Sequence, residues 1–142
     1  MNSLRDNNTE LAIMNAIMHK TPRLASILIK NGANVNWKNK HELSLLMAAV
    51  TYDQLEIAEL LIQKGADVNQ RNGGETALMN ACRIGSLKFI TLLLQHEADV
   101  NIQNIKGETA LTLTSNDEII KLLNNRNQHE EPLDEIYIEL ND

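Results

Sequence analysis

Large rings are scarce in this chain: 142 residues carry one Trp, one Phe and two Tyr. A core built on aromatic stacking is excluded, so whatever is buried must be aliphatic. Cysteine is scarcer still. Cys82 stands alone, which excludes an internal disulfide and fits a reducing compartment. No run of about 18 or more apolar residues occurs, so no segment reads as a bilayer-spanning helix. The opening "MNSLRDNNTE" lacks the basic-then-apolar profile of a secretory leader, and the expected compartment is cytoplasmic. Basic residues are absent after Arg126. Up to that point 13 Lys and Arg face 13 Asp and Glu, so the net charge of −6 resides in the last residues alone.

The chain does contain a sentence written more than once. "NGANVN", "KGADVN" and "HEADVN" place Ala33, Ala66 and Ala98 at intervals of 33 and 32 residues. The segments "HELSLLMAA", "GETALMNAC" and "GETALTLTS" follow them, with Glu42, Glu75 and Glu108 each 33 apart. A period of this size means a stack of supersecondary units, each too small to bury its own apolar face. In "SLKFITLLL", Leu87, Ile90 and Leu94 recur at helical spacing together with Phe89 and Leu93, which marks the face that seeks cover. Ala48, Ala49, Ala81 and Cys82 lie in the preceding helices, where neighbours must approach closely, and Cys82 reads as a buried small residue. Thr76 and Thr109 stand where a helix begins and can cap it. Gly32 and Gly65 follow helix ends, where a left-handed residue is commonly needed.

In these motifs the sequence resembles the ankyrin repeat family, most fully in "GETALMNACRIGSLKFITLLLQHEADVN". The resemblance implies an all-α repeat solenoid: a stack of helix-turn-helix units with β-turn fingers, four to five units counting shortened or degenerate caps. The repeat domain is expected over 1–126, with units near 10–32, 33–65, 66–98 and 99–124, followed by an acidic tail over 127–142. Several positions depart from the family pattern. Glu97 replaces the helix-ending glycine, and a left-handed backbone there costs about 1 to 2 kcal/mol. "TALM", "TALT" and "LSLL" lack the family's Pro and His, so the hydrogen bonding those residues usually provide is missing. The turn "VTYDQ" reads as one residue longer than its counterparts, and the fingers "WKNKH" and "QRNGG" as one residue short. The last unit has lost about three residues between its helices, a natural way to end a stack.

The resemblance also implies a contact surface made by fingers and first-helix ends. The finger positions are Trp37, Lys38, Lys40, Gln70, Arg71, Asn72, Gln103, Ile105 and Lys106. The helix-end positions are Met18, His19, Thr51, Tyr52, Arg83 and Ile84, with Glu42, Glu75 and Glu108 beside them. Trp37 and Tyr52 are the expected anchors, since Trp, Tyr and Arg dominate binding hot spots; packing against neighbouring fingers and turns is the plain alternative. In the tail, Leu133, Ile136, Ile138 and Leu140 are interleaved with carboxylates. It reads as a solvated end, as a segment folded over the last unit, or as an acidic arm toward a basic partner, with tail contacts at Glu135, Ile136, Tyr137 and Ile138. "DEIYIEL" also has the look of a tyrosine-kinase substrate, a weak short motif.

Catalysis is not expected. The four histidines fall in different units without metal-ligand spacing, and no phosphate loop or converging nucleophile and base occurs, so neither metal nor cofactor is anticipated. A nucleic-acid footprint would be more basic than a finger strip interleaved with glutamates, and no membrane contact is expected. The expected function is therefore non-catalytic binding of one protein partner by a monomer. A stoichiometric inhibitor, such as an immunity protein that neutralises a toxin, is favoured over an adaptor or secreted effector.

Overall fold

The computed structural model describes residues 8–128. Seven α-helices occur among the described residues: α1 (Asn8–Met18), α2 (Pro22–Lys30), α3 (Leu45–Thr51), α4 (Leu55–Gln63), α5 (Ala77–Ile84), α6 (Leu87–Gln95) and α7 (Asp117–Gln128). A single 3₁₀ turn at Leu111–Leu113 precedes α7. Helices pair within units as α1 with α2, α3 with α4 and α5 with α6. Between units, α1, α3 and α5 form one layer, while α2, α4, α6 and α7 form the other. This is the expected all-α stack.

The core repeats because the sequence does. Counting from the residue that precedes each second-layer helix, the third and seventh positions are Ile57 and Leu61, Phe89 and Leu93, then Ile119 and Leu123, all buried. The same positions in α2 are Leu24 and Leu28. Leu24 is 49% exposed, because no described unit lies on that side of it. Ala48, Ala49, Ala81 and Cys82 are buried in the first layer, where their small side chains admit the neighbouring unit. Burial pushes the Cys82 thiol up to about 11, so it is a packing group and not a reactive thiolate.

The starts of α3 and α5 are fixed by side-chain caps. The Ser44 hydroxyl accepts from Met47 N at 3.1 Å, and the Thr76 hydroxyl accepts from Met79 N at 3.3 Å. Thr109 does not act in this way. The segment after it closes into the 3₁₀ turn, and its backbone is tied to the Thr112 hydroxyl instead. Three residues are missing between Thr109 and Asn116 relative to the earlier units, too few for a full first helix, and Asn116 caps α7 through the N–H groups of Glu118 and Ile119.

Two register expectations are corrected by the backbone. The turn containing Tyr52 is not longer than its counterpart: Ser44 and Gln54, like Thr76 and Ser86, the residues that precede the helices, are ten positions apart. The length difference lies in the fingers. Asn39 and Asn104 each open a three-residue tip, accepting through Oδ1 from two backbone N–H groups, and the third tip residue is left-handed: Glu42 at φ 66° and Gly107 at φ 78°. Glu42 therefore matches Gly107, and Leu43 is the counterpart of Glu75 and Glu108. The middle finger closes in two residues, Gly73 and Gly74, between the paired Asn72 and Glu75. Both glycines have positive φ, the requirement of a tight two-residue hairpin.

Left-handed residues also end helices. Gly32 and Gly65 have φ of 94° and 98°, and Glu97 occupies the matching place at φ 65°. Lys20, Asp53 and Gly85 share the turn between layers in the same way. A side chain forced into this region carries about 1 to 2 kcal/mol of strain. Glu97→Gly should therefore stabilise the array by about 0.5 to 1 kcal/mol after the entropy of the added glycine is subtracted, seen as a higher denaturation midpoint; an unchanged or lower midpoint would refute the strain. Leu93→Ala should lose about 2 to 5 kcal/mol in the same titration. A loss below that range would mean that the shared core positions are misassigned.

Candidate functional site

The fingers and first-layer helix ends lie on one side of the stack, and their side chains divide into ties and free groups. The ties run from unit to unit. Asn36 Oδ1 accepts from Asp67 N at 2.7 Å, and Asn69 Oδ1 repeats this with Asp99 N at 2.7 Å. In the first described unit the buried Glu10 does the same work: its Oε2 accepts from Asn34 N at 2.8 Å.

Several residues predicted to meet a partner belong to these ties. Lys38 Nζ donates to the carbonyl of Arg71 at 3.1 Å, and Arg71 in turn donates to the carbonyl of Gln103 at 2.8 Å. Each cation thus reaches the equivalent residue of the next finger. Gln70 donates to the carbonyl of Asn36, and Asn72 Oδ1 accepts from Ser44 N at 2.6 Å. Thr51 accepts from Asn80 Nδ2 at 2.9 Å across the α3–α5 contact. Trp37 and Tyr52 are partly buried and packed against the core cluster, the plainer of the two readings of their rings.

The carboxylates of the site are largely compensated. Lys38 pairs with Glu42 at 2.6 Å. Arg83 pairs with Glu75 at 2.9 Å; its hydrogen bond holds Glu75 below the usual carboxylate range against partial desolvation, and the same bond raises Arg83. Asn104 Nδ2 bridges Glu75 and Glu108 at 3.0 and 2.9 Å, carrying the network into the last finger. Glu42, Thr51, Asn72, Glu75 and Arg83 line one open cleft of about 220 Å³ between the first two fingers and helices α3 and α5. A larger hollow, about 520 Å³, lies between α2 and α4 on the other layer. It is lined by Arg23, Lys30, Glu56 and Glu59 and receives none of the predicted contact residues, so the smaller cleft is the relevant one.

What remains free is a short set. Met18, His19 and Ile84 are exposed at the helix ends, and Lys40 and Lys106 at the finger tips. Ile105 is 89% exposed, the most open large apolar side chain among the described residues. It crosses the face of Gly74, where an added Cβ would come within 3.1 Å of its Cγ2. Sequence periodicity located these positions but could not tell tie from free group, since most ties end on backbone atoms. The tail contacts Glu135, Ile136, Tyr137 and Ile138 lie outside the described residues. No three His, Cys, Asp or Glu among the described residues are grouped to hold a metal, and no described helix is long and apolar enough to cross a membrane.

This surface can hold a polypeptide through many small contacts on a rigid edge. Comparison with known proteins agrees with that architecture. The family description "Ankyrin repeats (3 copies)" matches residues 1–72 and 70–132. The solved ankyrin repeat domain of Bcl-3, described as a unique member of the IkappaB protein family, is similar at 27% identity and a TM-score of 0.73. That similarity covers 79% of this chain and 50% of the Bcl-3 chain, so this chain corresponds to about half of that structure. Comparison with curated proteins gave no match. The chain therefore belongs to the ankyrin repeat family.

Proposed function

We propose that this chain is a non-catalytic module that binds one protein partner across the finger and first-helix surface, most specifically as a stoichiometric inhibitor of the kind an immunity protein represents. Ankyrin repeats generally mediate protein–protein interaction, and that coarser role is the family's. The observation that carries the reading is the rigid edge itself. Lys38, Arg71 and the finger amides are spent tying fingers together, while Ile84, Ile105 and Lys106 stand out from the edge. A surface already held in place loses little conformational entropy when a partner docks. Action in the cytoplasm as a monomer, and a contribution from Glu135 to Ile138 against a basic region of the partner, are parts of the same proposal.

In this reading the anchors are the exposed Ile84 and Ile105 rather than Trp37 and Tyr52. Ile84→Ala and Ile105→Ala should leave the denaturation midpoint nearly unchanged, since exposed substitutions typically move stability by less than about 0.5 kcal/mol. Each should weaken partner binding by about 2 kcal/mol if it is a hot spot. Trp37→Ala, by contrast, should cost about 1 to 3 kcal/mol of stability because its ring packs on the core. A stable Trp37→Ala chain with lost binding would return the anchor role to the ring.

The inhibitor reading is tested by affinity capture with the full chain, followed by titration of any captured enzyme. Complete loss of its activity at a 1:1 ratio is the expected result. Capture of non-enzymatic proteins, with retention of Ile105-dependent binding, would replace the inhibitor by an adaptor.

A further inference from the structure

The hollow of about 520 Å³ between α2 and α4 lies on the layer opposite the first-layer helices and takes no part in the finger surface. Its two walls carry opposite charge. Arg23 and Lys30 stand on α2, two turns or about 10 Å apart along the axis at about 1.5 Å per residue, and Glu56 and Glu59 stand on α4. All four are exposed, and among the described residues no ion pair joins Arg23 or Lys30 to Glu56 or Glu59. Ser26 and Leu60, both half-buried, line the same space.

Fold stability accounts for only part of this pattern. Lys30 in the last turn of α2 and Glu56 in the first turn of α4 suit the helix dipoles. Arg23 does not, because it sits in the first turn of α2, where a cation is disfavoured. Glu56 and Glu59, three positions apart on one helix, repel each other. The neighbouring gap between α4 and α6 shows how the fold settles such a charge. There Lys88, which holds in α6 the place of Glu56 in α4, donates to Asp53 at 2.7 Å and lies over the Phe89 ring. In the gap between α2 and α4 the charges face an open space instead.

The chemical complement of these walls carries both signs and an apolar middle. A small zwitterion holds its charges side by side and cannot span walls on helices whose axes pack about 8–10 Å apart. A helix can, since residues at i, i+3 or i+4, and i+7 share one face over the same two turns. A phosphate backbone would meet Glu56 and Glu59, which disfavours nucleic acid. We infer that this groove docks an amphipathic helical segment of a protein partner, with a basic residue on the Glu56 and Glu59 wall, an acidic residue on the Arg23 and Lys30 wall, and an aliphatic residue between them on Leu60. Charges so exposed give the contact specificity more than affinity. The groove is separate from the finger surface, so failure of either reading leaves the other standing.

The test is a selection from displayed helical peptides, randomised over two turns, against the full chain. Two variants serve as controls. In the first the walls are exchanged by Arg23→Glu, Lys30→Glu, Glu56→Lys and Glu59→Lys, which keeps the net charge; in the second, Ser26→Tyr plugs the groove and keeps all four charges. Peptides that the wild type retains should carry a base, an aliphatic residue and an acid at the stated spacing and should bind both variants at least about tenfold more weakly. They should move the amides of Ser26, Lys30, Glu59 and Gln63 in NMR spectra of the wild type, leave those of Lys40 and Ile105 in place, and bind several-fold more weakly in about 1 M salt. Peptides that bind both variants as well as the wild type, groove-dependent peptides of one charge sign only, or a selection that enriches no groove-dependent peptide would each overturn the inference.

Discussion

The N–H at the entrance of each finger needs an acceptor, and it finds one only in the unit before. Asn36 and Asn69 supply it for Asp67 and Asp99, each at 2.7 Å. Both bonds lie in exposed positions, where a hydrogen bond contributes about 0.5 to 1.5 kcal/mol net, so each adds direction to a stacking that the buried helix faces drive. The spacing of 33 and then 32 residues follows from this, because the apolar positions of successive helices meet only when the fingers are in step. In the first described unit the Glu10 carboxylate takes the asparagine's place for Asn34.

Much of this was legible in the sequence, for reasons that differ from residue to residue. The helical layers could be read because Ile57, Phe89 and Ile119 recur where burial demands them. The left-handed backbone at Glu97 could be read because Gly32 and Gly65 mark the same place. The shortened last unit was visible as a deficit against the period. Register inside the fingers was not, since the two glutamates Glu42 and Glu108 suggest an alignment that the backbone shifts by one residue. Glu42 sits where Gly107 does, and only the φ angles reveal it.

The site was legible in outline and illegible in its division of labour. Lys38, Arg71 and Asn72 occupy positions the family uses for contacts, yet here they join neighbouring fingers. Their partners are mostly carbonyl and amide groups of the main chain, which every residue has and which leave no mark in composition. Trp37 and Tyr52 stand out by rarity, but rarity says nothing about packing, and both are partly buried against the core cluster. The sequence marks Ile105 only as a finger position; its exposure, and its close approach to Gly74 in the two-residue middle finger, are seen only in the fold.

Among the described residues the main helix contacts run within a unit or to the next one, whereas the finger edge runs past several units. In such an array a lesion near one end can melt that end alone, leaving the rest folded. A ligand laid across the fingers changes this, because it contacts units that never meet and binds only when they are folded together. Occupancy then acts as a splint: it adds long-range cooperativity to a chain whose own bonds are all short-range, and it protects the terminal units most.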